Sequence, residues 1–390
     1  MKNAALEPAS LAQALIRCPS VTPAEAGALT LVEDVLKGAG FTCHRMTFSE
    51  AGTADVENLY ARIGTAGPNL CFAGHTDVVP PGDETAWTLP PFAAEIRDRV
   101  LYGRGAVDMK GAVACFMVAA LRHLKAAGGQ PKGSLSFLIT GDEEGDSING
   151  TIKVIDWLKE RGEVLDACVV GEPSSRHEVG DEIKIGRRGT LNGELIVSGK
   201  QGHSAYPQLA DNPLPKLARI IDRLAALELD TGTQHFEPSH IAVTVVSVPN
   251  TATNVIPGHA LVKFNARYND THTRTNLEAL IRKCCELAAA EVGADFSLTF
   301  SGTGDVFVTE PGPLVDTMVA AVREVTGHTP KLTTTGGTSD ARFIKDVCPV
   351  VEFGLINATI HQVDERVPIA DLETLTRVYE RFIAGYFARG

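Results

Sequence analysis

The sequence predicts an α/β protein with a mostly parallel sheet flanked by helices, interrupted by a smaller α+β domain. In residues 1–188 and 302–390, apolar strand-like runs alternate with segments of helical periodicity. Such alternation is typical of helices packed on a largely parallel sheet. In residues 189–301 the order is instead strand, helix, strand, strand, helix, strand, which is the ferredoxin-like arrangement. We therefore expect two domains, with residues 189–301 inserted into the other.

The elements of the first domain each have a local signal. Ser10 precedes a short apolar helical pattern, and we expect it to be the N-cap of a helix. Glycines follow two further helical patterns and would end them. Helices are predicted at 28–39, 109–127 and 151–161, and buried strands at 70–74, 135–140 and 167–171.

The inserted domain and the C-terminal part follow in the same way. Within the insertion, strands are predicted at 191–198, 241–248, 260–268 and 296–300, and helices at 213–229 and 275–292. Beyond it, a helix is predicted at 314–325, a strand at 349–354 and a final helix from about Asp371. The C-terminal part is therefore expected to complete the first domain.

Composition excludes several classes of protein. The chain of 390 residues has a formal net charge of −12 without clustered Lys and Arg, which argues against a nucleic-acid-binding protein. The N-terminus lacks a signal peptide's apolar stretch, and the apolar runs are too short to span a membrane. The eight cysteines show no CxxC spacing and indicate free thiols in a reducing compartment. We expect a cytoplasmic protein without a membrane partner.

Side chains that bind metals follow the predicted strands. His75 and Asp77 follow the first buried strand, Glu143 and Glu144 the second, and Glu172 the third. Ligands of open α/β sheets bind at the carboxyl ends of the strands, so these side chains should converge. Two more candidates are Asp108, before a helix, and His361, after the last strand.

Imidazoles with carboxylates are the ligands of catalytic zinc, and this set is large enough for two metal ions. Of the adjacent Glu143 and Glu144, one can ligate while the other acts as a general base. Asp77 can accept the second ring N–H of His75 and so orient it. Plainer interpretations stay open, because Asp108 could cap a helix and the two glutamates could form a solvated turn.

Several motifs resemble those of the M20 family of metallopeptidases and deacylases, over the chain from about residue 10 to its end. The general ones are His75-Thr76-Asp77, Tyr102-Gly103-Arg104-Gly105, Asp108-Met109-Lys110-Gly111 and Gly141-Asp142-Glu143-Glu144-Gly145. Motifs similar to one branch of the family are Gly186-Arg187-Arg188-Gly189, Gly202-His203-Ser204-Ala205-Tyr206-Pro207, Asn254-Val255-Ile256-Pro257 and Gly336-Gly337-Thr338-Ser339-Asp340.

The resemblance implies roles for the candidate residues. His75 and Glu172 would hold one Zn²⁺, Glu144 and His361 a second, with Asp108 bridging; Co²⁺ is an alternative in the second site. Glu143 would be the general base. The inserted domain would form a homodimer and act as a lid, and His203 of one subunit would reach the partner's site. The residues alone favour a plainer role for His203, in a turn after Gly202.

The resemblance also implies a small acyl amino acid as substrate, bearing a succinyl group whose carboxylate needs fixed cations. The implied substrate contacts are Lys184, Arg187, Thr190, Tyr206, Asn254, Arg267, Gly337 and Thr338. Bidentate pairing between an arginine and a carboxylate could reject an acetyl analogue. The alternatives are another deacylase of the family, such as an acetylornithine deacetylase or an aminoacylase, and a catalytically inactive binding protein.

Overall fold

A computed structural model describes residues 7–302 and 304–389. The chain forms two compact units. The larger unit contains the residues up to Gly186, Thr309–Thr333, and the residues from Ser339 onward. The smaller unit contains Arg187–Val308 and the short segment Thr334–Thr338. Each unit has its own sheet, and each is described by itself below.

The helices, in chain order, are α1 Pro8–Ile16, α2 Ala28–Gly38, α3 Lys110–Ala126, α4 Thr151–Glu160, α5 Pro213–Ala225, α6 Arg274–Val292, α7 Pro313–Thr326, α8 Ala341–Ile344 and α9 Ile369–Ala388. The strands are β1 Thr42–Phe48, β2 Val56–Ile63, β3 Asn69–His75, β4 Ile96–Arg97, β5 Val100–Tyr102, β6 Ser134–Thr140, β7 Ala167–Val170, β8 Glu182–Lys184, β9 Gly186–Arg187, β10 Gly189–Ser198, β11 Gly202–His203, β12 His240–Ser247, β13 Val255–Ile256, β14 His259–Tyr268, β15 Asp295–Ser301, β16 Phe307–Val308, β17 Lys331–Thr333, β18 Val350–Glu352 and β19 Arg366–Pro368.

The larger unit is built on an eight-stranded sheet with the order β1-β2-β6-β3-β7-β18-β8-β17. The central strands β6, β3, β7 and β18 run parallel to one another, and β1 and β2 are antiparallel. All seven residues of β3 and all seven of β6 are buried, as expected for strands covered on both faces. The predicted mixed α/β architecture is thus confirmed.

An aromatic cluster joins the helices of this unit to its sheet. Phe72 of β3 stacks on Phe116 of α3 with ring centroids 4.3 Å apart, and Phe116 meets Tyr379 of α9 edge-on at 5.0 Å. These three side chains are fully buried. Each buried aromatic of this kind contributes about 1.5–3 kcal/mol to stability. The cluster therefore anchors β3, whose last residue is His75, to the rigid core.

The first helix corrects one expectation. Its N-cap is Glu7, and Ser10 lies inside the helix without a capping role. Pro8 occupies the first turn, where its missing N–H costs nothing because that group has no partner within a helix. The proline therefore outweighs the capping preference of a serine two residues later.

The smaller unit consists of the four-stranded antiparallel sheet β12-β14-β10-β15 with α5 and α6 packed on one face. The buried residues of β10 alternate, so that Leu191, Leu195 and Val197 belong to the core shared with both helices. A capping box of Thr273 and Asn276 starts α6. This is the split βαβ order expected from the sequence.

Within the described residues, we find no helix with both the length and the apolar character that crossing a membrane requires.

Candidate metal centre and active site

The central strands of the larger unit bring their carboxyl ends to one edge. In the parallel pairing of β3 with β6, His75 lies opposite Thr140, and in that of β3 with β7, Ala73 lies opposite Val170. Glu143 and Glu144 lie a few residues beyond the end of β6, and Glu172 lies two residues beyond β7. These four candidate ligands therefore come from three adjacent strands.

Two glycines at this edge make room for the segment that carries Asp108. A Cβ at Gly74 would lie 2.5 Å from Cε of Met109, and one at Gly171 would lie 2.6 Å from the same atom. Any larger residue at either strand end would displace Met109. The side chain of Met109 thus fits between the ends of β3 and β7, and Asp108 precedes it at the start of α3.

Asp108 lies between the two histidines. Its Oδ1 is 3.1 Å from Nε2 of His75, and its Oδ2 is 3.1 Å from Nε2 of His361. Nε2 of His361 is also 2.8 Å from Oε1 of Glu144. The N-cap residue of α3 is Met109 rather than Asp108, so the helix-cap interpretation is wrong. Each oxygen of one buried carboxylate faces a different imidazole, which is the arrangement that a bridging ligand needs.

Two groups of side chains have ligand atoms within 4.8 Å of one another. One contains His75, Asp108 and Glu144, and the other contains His75, Glu143 and Glu172. Oε1 of Glu172 lies 3.7 Å from Nε2 of His75. Neutral imidazole and carboxylate donors at this spacing fit a divalent transition-metal ion. The second group includes Glu143, which sequence reasoning assigned to proton transfer rather than to ligation.

The charges of the cluster also favour a cation. Burial and the negative charge of Glu172 raise the pKa of Glu143 well above its ordinary value. Hydrogen bonds to Asp108 and Glu144 raise the pKa of His361 to about 10. Burial opposes protonation of His75, but the hydrogen bond to Asp108 and the negative charges of Asp108, Asp77 and Glu143 together outweigh it and raise its pKa. Protons therefore offset the crowded negative charge, and a bound divalent cation would replace them.

Asp77 organises the loop that carries the two glutamates. Its Oδ1 accepts a hydrogen bond from the backbone N–H of Glu143 at 3.3 Å, and its Oδ2 accepts one from that of Glu144 at 3.0 Å. The ring atom Nδ1 of His75 lies 2.9 Å from the main-chain oxygen of Asp77 and 3.6 Å from its carboxylate. The main-chain oxygen of Asp77 is therefore the nearer partner of the imidazole, and the carboxylate of Asp77 lies farther from the ring.

His361 lies in a loop with an unusual backbone. Its φ is 58°, in the left-handed region that non-glycine residues rarely adopt, and Asp364 has a φ of 59°. The carboxylate of Asp364 holds the loop by accepting hydrogen bonds from the N–H and hydroxyl of Thr88, both at 2.7 Å. A strained backbone conformation of this kind persists only where several surrounding contacts hold it in place.

Sequence reasoning missed two acidic residues near this site. Glu365 is fully buried and forms an ion pair with Arg104, with Oε2 2.7 Å from Nη1. Asp340 is buried, accepts a hydrogen bond from the hydroxyl of Thr151 at 2.6 Å, and contributes to the raised pKa of Glu143. Asp340 belongs to a motif that resembled the family's, and Glu365 lies four residues after His361. Neither position has a sequence signal that marks it as buried.

Comparison with known proteins identifies the family. A family model described as peptidase family M20/M25/M40 matches residues 71–385. A protein named succinyl-diaminopimelate desuccinylase, from Bradyrhizobium sp. (strain ORS 278), is 58% identical over 375 residues, 96% of this chain and 97% of that protein. The chain belongs to peptidase family M20/M25/M40. The predicted enzyme class, a metal-dependent hydrolase, is confirmed by this membership and by the ligand cluster.

Solved structures share the fold of this chain. A tripeptidase from Staphylococcus aureus superposes with a TM-score of 0.80 at 18% identity, covering 99% of both chains. A dinuclear metal-binding peptidase of the M20 family from Bacillus subtilis superposes with a TM-score of 0.74 at 17% identity, covering 100% of this chain and 99% of that one. At these identities the likeness establishes the M20 fold.

Three arginines of the smaller unit lie close enough for their charges to interact. Burial, followed by the charges of Arg188 and Arg187, lowers the pKa of Arg267. Nη1 of Arg187 donates a hydrogen bond to the carbonyl oxygen of Gly337. Thr190 lies opposite Arg267 in the β10–β14 pairing, and its hydroxyl accepts a hydrogen bond from Asn265. Three guanidinium groups that repel one another favour an anionic ligand.

The remaining candidate residues are spread over both units. Nδ1 of His203 accepts a hydrogen bond from the N–H of Ala205 at 3.0 Å, and its ring lies 5.8 Å from that of Tyr206, which is 57% exposed. The carbonyl of Asn254 accepts the N–H of Ser204 at 2.9 Å, which joins two loops of the smaller unit. Lys184 ends β8 in the larger unit and is buried, and Thr338 lies in the segment Thr334–Thr338 of the smaller unit. His203 stays a predicted catalytic residue, and the others stay predicted substrate contacts.

Proposed function

We propose that this protein hydrolyses N-succinyl-LL-2,6-diaminopimelate to succinate and LL-2,6-diaminopimelate. The observation that carries the proposal is the 58% identity, over nearly the full length of both chains, with a succinyl-diaminopimelate desuccinylase. The ligand cluster of the larger unit supplies what amide hydrolysis needs: metal ligands and a carboxylate that can move a proton. The reaction would belong to the biosynthesis of diaminopimelate and lysine.

We assign the metal ligands from the contacts of Asp108. His75, Glu172 and Asp108 would hold one metal ion, and Glu144, His361 and Asp108 the other. The distances of 3.1 Å from the two oxygens of Asp108 to the two imidazoles support this assignment. The mixed nitrogen and oxygen donors favour Zn²⁺, with Co²⁺ as an alternative in the second site.

Glu143 is the proposed general base. When bound, the metal ions would polarise the amide carbonyl and lower the pKa of water. The Glu143 carboxylate accepts a proton from the attacking water and returns it to the leaving amine nitrogen. Asp77 supports this role because it holds the backbone amides of both Glu143 and Glu144. Burial raises the pKa of the Glu143 carboxyl, which favours uptake of a proton by this group.

Substrate recognition would use the cations of the smaller unit. The substrate carries a carboxylate on its succinyl group and two on the diaminopimelate part. Arg187 and Arg267, which are close enough to repel each other, would bind carboxylates in bidentate fashion. The other proposed contacts are Lys184, Thr190, Tyr206, Asn254, Gly337 and Thr338.

We infer a homodimer formed through the smaller unit. Strand β12 is at the edge of its sheet and is exposed along most of its length. Val245 and Val246 of this strand are 43% and 58% exposed. An apolar edge strand is a surface on which a second copy can pair. In that dimer, His203 of one subunit would stabilise the oxyanion at the partner's site while the unit closes as a lid.

We also infer that the enzyme acts in a reducing compartment, the cytoplasm. All eight cysteines are free, and five of them are buried: Cys71, Cys115, Cys168, Cys285 and Cys348. Buried free thiols are common in proteins of reducing compartments.

The decisive experiment compares turnover of N-succinyl-LL-diaminopimelate and N-acetylornithine by the zinc-loaded protein. We expect strong preference for the succinyl compound, lost on chelation and restored by Zn²⁺. Preference for the acetyl compound would contradict the proposed substrate and favour another deacylase. No turnover of either compound, with metal bound, would contradict the enzymatic proposal and favour a binding protein.

A further inference from the structure

Glu365 holds the segment that carries Asp108. Its Oε1 accepts hydrogen bonds from the backbone N–H groups of Val107 at 2.8 Å and Asp108 at 3.1 Å. Its Oε2 accepts one from the N–H of Gly105 at 3.0 Å. Its main-chain oxygen accepts another from the N–H of Gly103 at 2.9 Å. One residue thus binds four backbone amides of a six-residue segment, and its side chain is fully buried.

Arg104 links the same carboxylate to the other side of the cluster. Its Nη1 donates to Oε2 of Glu365 at 2.7 Å and to the carbonyl of Gln362 at 3.3 Å. Its Nη2 donates to the carbonyl of His361 at 3.4 Å. The guanidinium is 3% exposed and the carboxylate 0%. This buried ion pair therefore connects the backbone of the loop that carries His361 to the segment that carries Asp108.

We propose that Glu365 is a positioning residue for metal binding: with Arg104, it sets the distance between Asp108 and His361. No short covalent link fixes the separation of those two ligands, because 252 residues lie between them along the chain. Buried partners that orient metal ligands commonly change metal affinity by about 10–100-fold when they are replaced. The inference rests on the proposed function only in taking these residues as metal ligands.

The geometry explains why a glutamine could not make the hydrogen bonds of Glu365. Both oxygens of the carboxylate accept N–H groups, whereas a carboxamide has one oxygen and one NH₂ group. In Glu365→Gln, the NH₂ group would face either the amides of Val107 and Asp108 or the amide of Gly105 and the guanidinium of Arg104. Two donors would then oppose each other in a buried site, and the Asp108 segment would shift.

The matched control is Glu25→Gln. Glu25 lies in the same unit and also accepts two backbone N–H groups, those of Gly27 and Thr30, both at 2.7 Å. It belongs to neither group of ligands. The control therefore removes the same type of contact and leaves the segments of Asp108 and His361 unchanged.

The test is metal titration of the full-length protein after chelation and dialysis, by calorimetry with Zn²⁺ and by absorption with Co²⁺. For folded Glu365→Gln we expect at least one metal equivalent to bind about 10–100-fold more weakly, with an altered Co²⁺ absorption band. For Glu25→Gln we expect affinity within about threefold of the wild type, because Glu25 belongs to neither group of ligands. Metal-saturated Glu365→Gln should lose kcat, with little change in KM.

Wild-type metal affinity and Co²⁺ absorption in folded Glu365→Gln would overturn the proposal. If that variant does not fold, Glu365→Asp takes its place, because it keeps the charge opposite Arg104 but is too short to reach both pairs of donors. Weaker metal binding by Glu365→Asp would support the proposal, and unchanged binding would overturn it. If neither variant folds, Glu365 is a determinant of folding and the proposal is wrong. If Glu365→Gln binds metal more weakly but the metal-loaded wild type does not hydrolyse the succinyl compound, the proposed function alone is contradicted.

Discussion

Oδ2 of Asp108 lies 3.1 Å from Nε2 of His361, although the two residues belong to distant parts of the chain. The other oxygen of the same carboxylate lies 3.1 Å from Nε2 of His75. This carboxylate joins two parts of the cluster, since it contacts imidazoles from two different segments. Its replacement should therefore affect both proposed metal positions.

Replacement of Asp108 by Asn should reduce metal binding. The amide keeps the shape of the side chain but removes the charge and one acceptor, so it cannot bridge. We expect loss of at least one metal equivalent and a fall in turnover of about 10³-fold or more, by analogy with the removal of a major electrostatic group. Metal content and turnover should be compared with Asp156→Asn, on the exposed face of α4. Full metal content in Asp108→Asn would contradict the bridging role.

Replacement of Glu143 by Gln should separate proton transfer from metal binding. A positioned general base contributes about 10²–10⁴-fold, so turnover should fall by that factor while metal affinity is kept. The control is Glu160→Gln, at the exposed end of α4. Turnover within about tenfold of the wild type would contradict the role as base. Lost metal affinity would instead indicate that Glu143 is a ligand, as its grouping with His75 and Glu172 allows.

Asp77→Asn should loosen the loop that carries Glu143 and Glu144. The carboxylate accepts one backbone amide with each oxygen, and an asparagine can accept only at one of these positions. We expect kcat to fall about 10–100-fold, the range found for groups that orient ligands, with little change in KM. Steady-state kinetics at saturating Zn²⁺ measures both constants. An unchanged kcat would show that the loop is held by other contacts.

Arg267→Met should weaken recognition of the succinyl carboxylate. Loss of a charge-assisted pair should lower kcat/KM for the succinyl substrate by about 100-fold. The N-acetyl analogue of the same amino acid should be affected less, so the ratio of the two kcat/KM values measures the effect. Arg219→Met is the control, at a half-buried position of α5 where the guanidinium pairs with Asp222 and Glu291. An equal fall for both compounds would assign Arg267 to the diaminopimelate part instead.

Asp230 should make the stability of the smaller unit depend on pH. Burial opposes its ionisation, but hydrogen bonds from Ser239, Gly232 and Asn269 outweigh it and lower its pKa to about 2 from an ordinary 3.8. Because the pKa of the folded state is the lower one, the contribution is fully present above pH 3.8 and is lost as the pH falls toward 2.

Thermal melts between pH 6 and pH 2.5 test this dependence. Asp230→Asn should lower the melting temperature near neutral pH, and the difference from the wild type should shrink toward pH 2.5. Asp295→Asn, at the exposed start of β15, should show no such trend. A difference that stays constant with pH would contradict the assignment to ionised Asp230.

Part of the candidate site can be predicted from local sequence. The runs that end at His75, at Glu143 and Glu144, and at Glu172 are apolar because the central strands are buried on both faces. Each run then ends where the strand leaves the sheet, so a polar residue at that point lies at the ligand-binding edge. The local pattern led to a wrong prediction of the N-cap at Ser10, because Pro8, two residues earlier, determined the start of the helix.

The sequence by itself determined the alternation of strands and helices, the inserted split βαβ order, and the chemical types of the candidate ligands. Only the tertiary structure decided which atoms meet: the two oxygens of Asp108 with two histidines, Asp77 with the amides of Glu143 and Glu144, and Glu365 with the segment before Asp108. The physical reason is that periodicity reports burial and strand ends, which are local. Hydrogen bonds and ion pairs between residues far apart in the chain depend instead on how the chain returns to the same edge of the sheet.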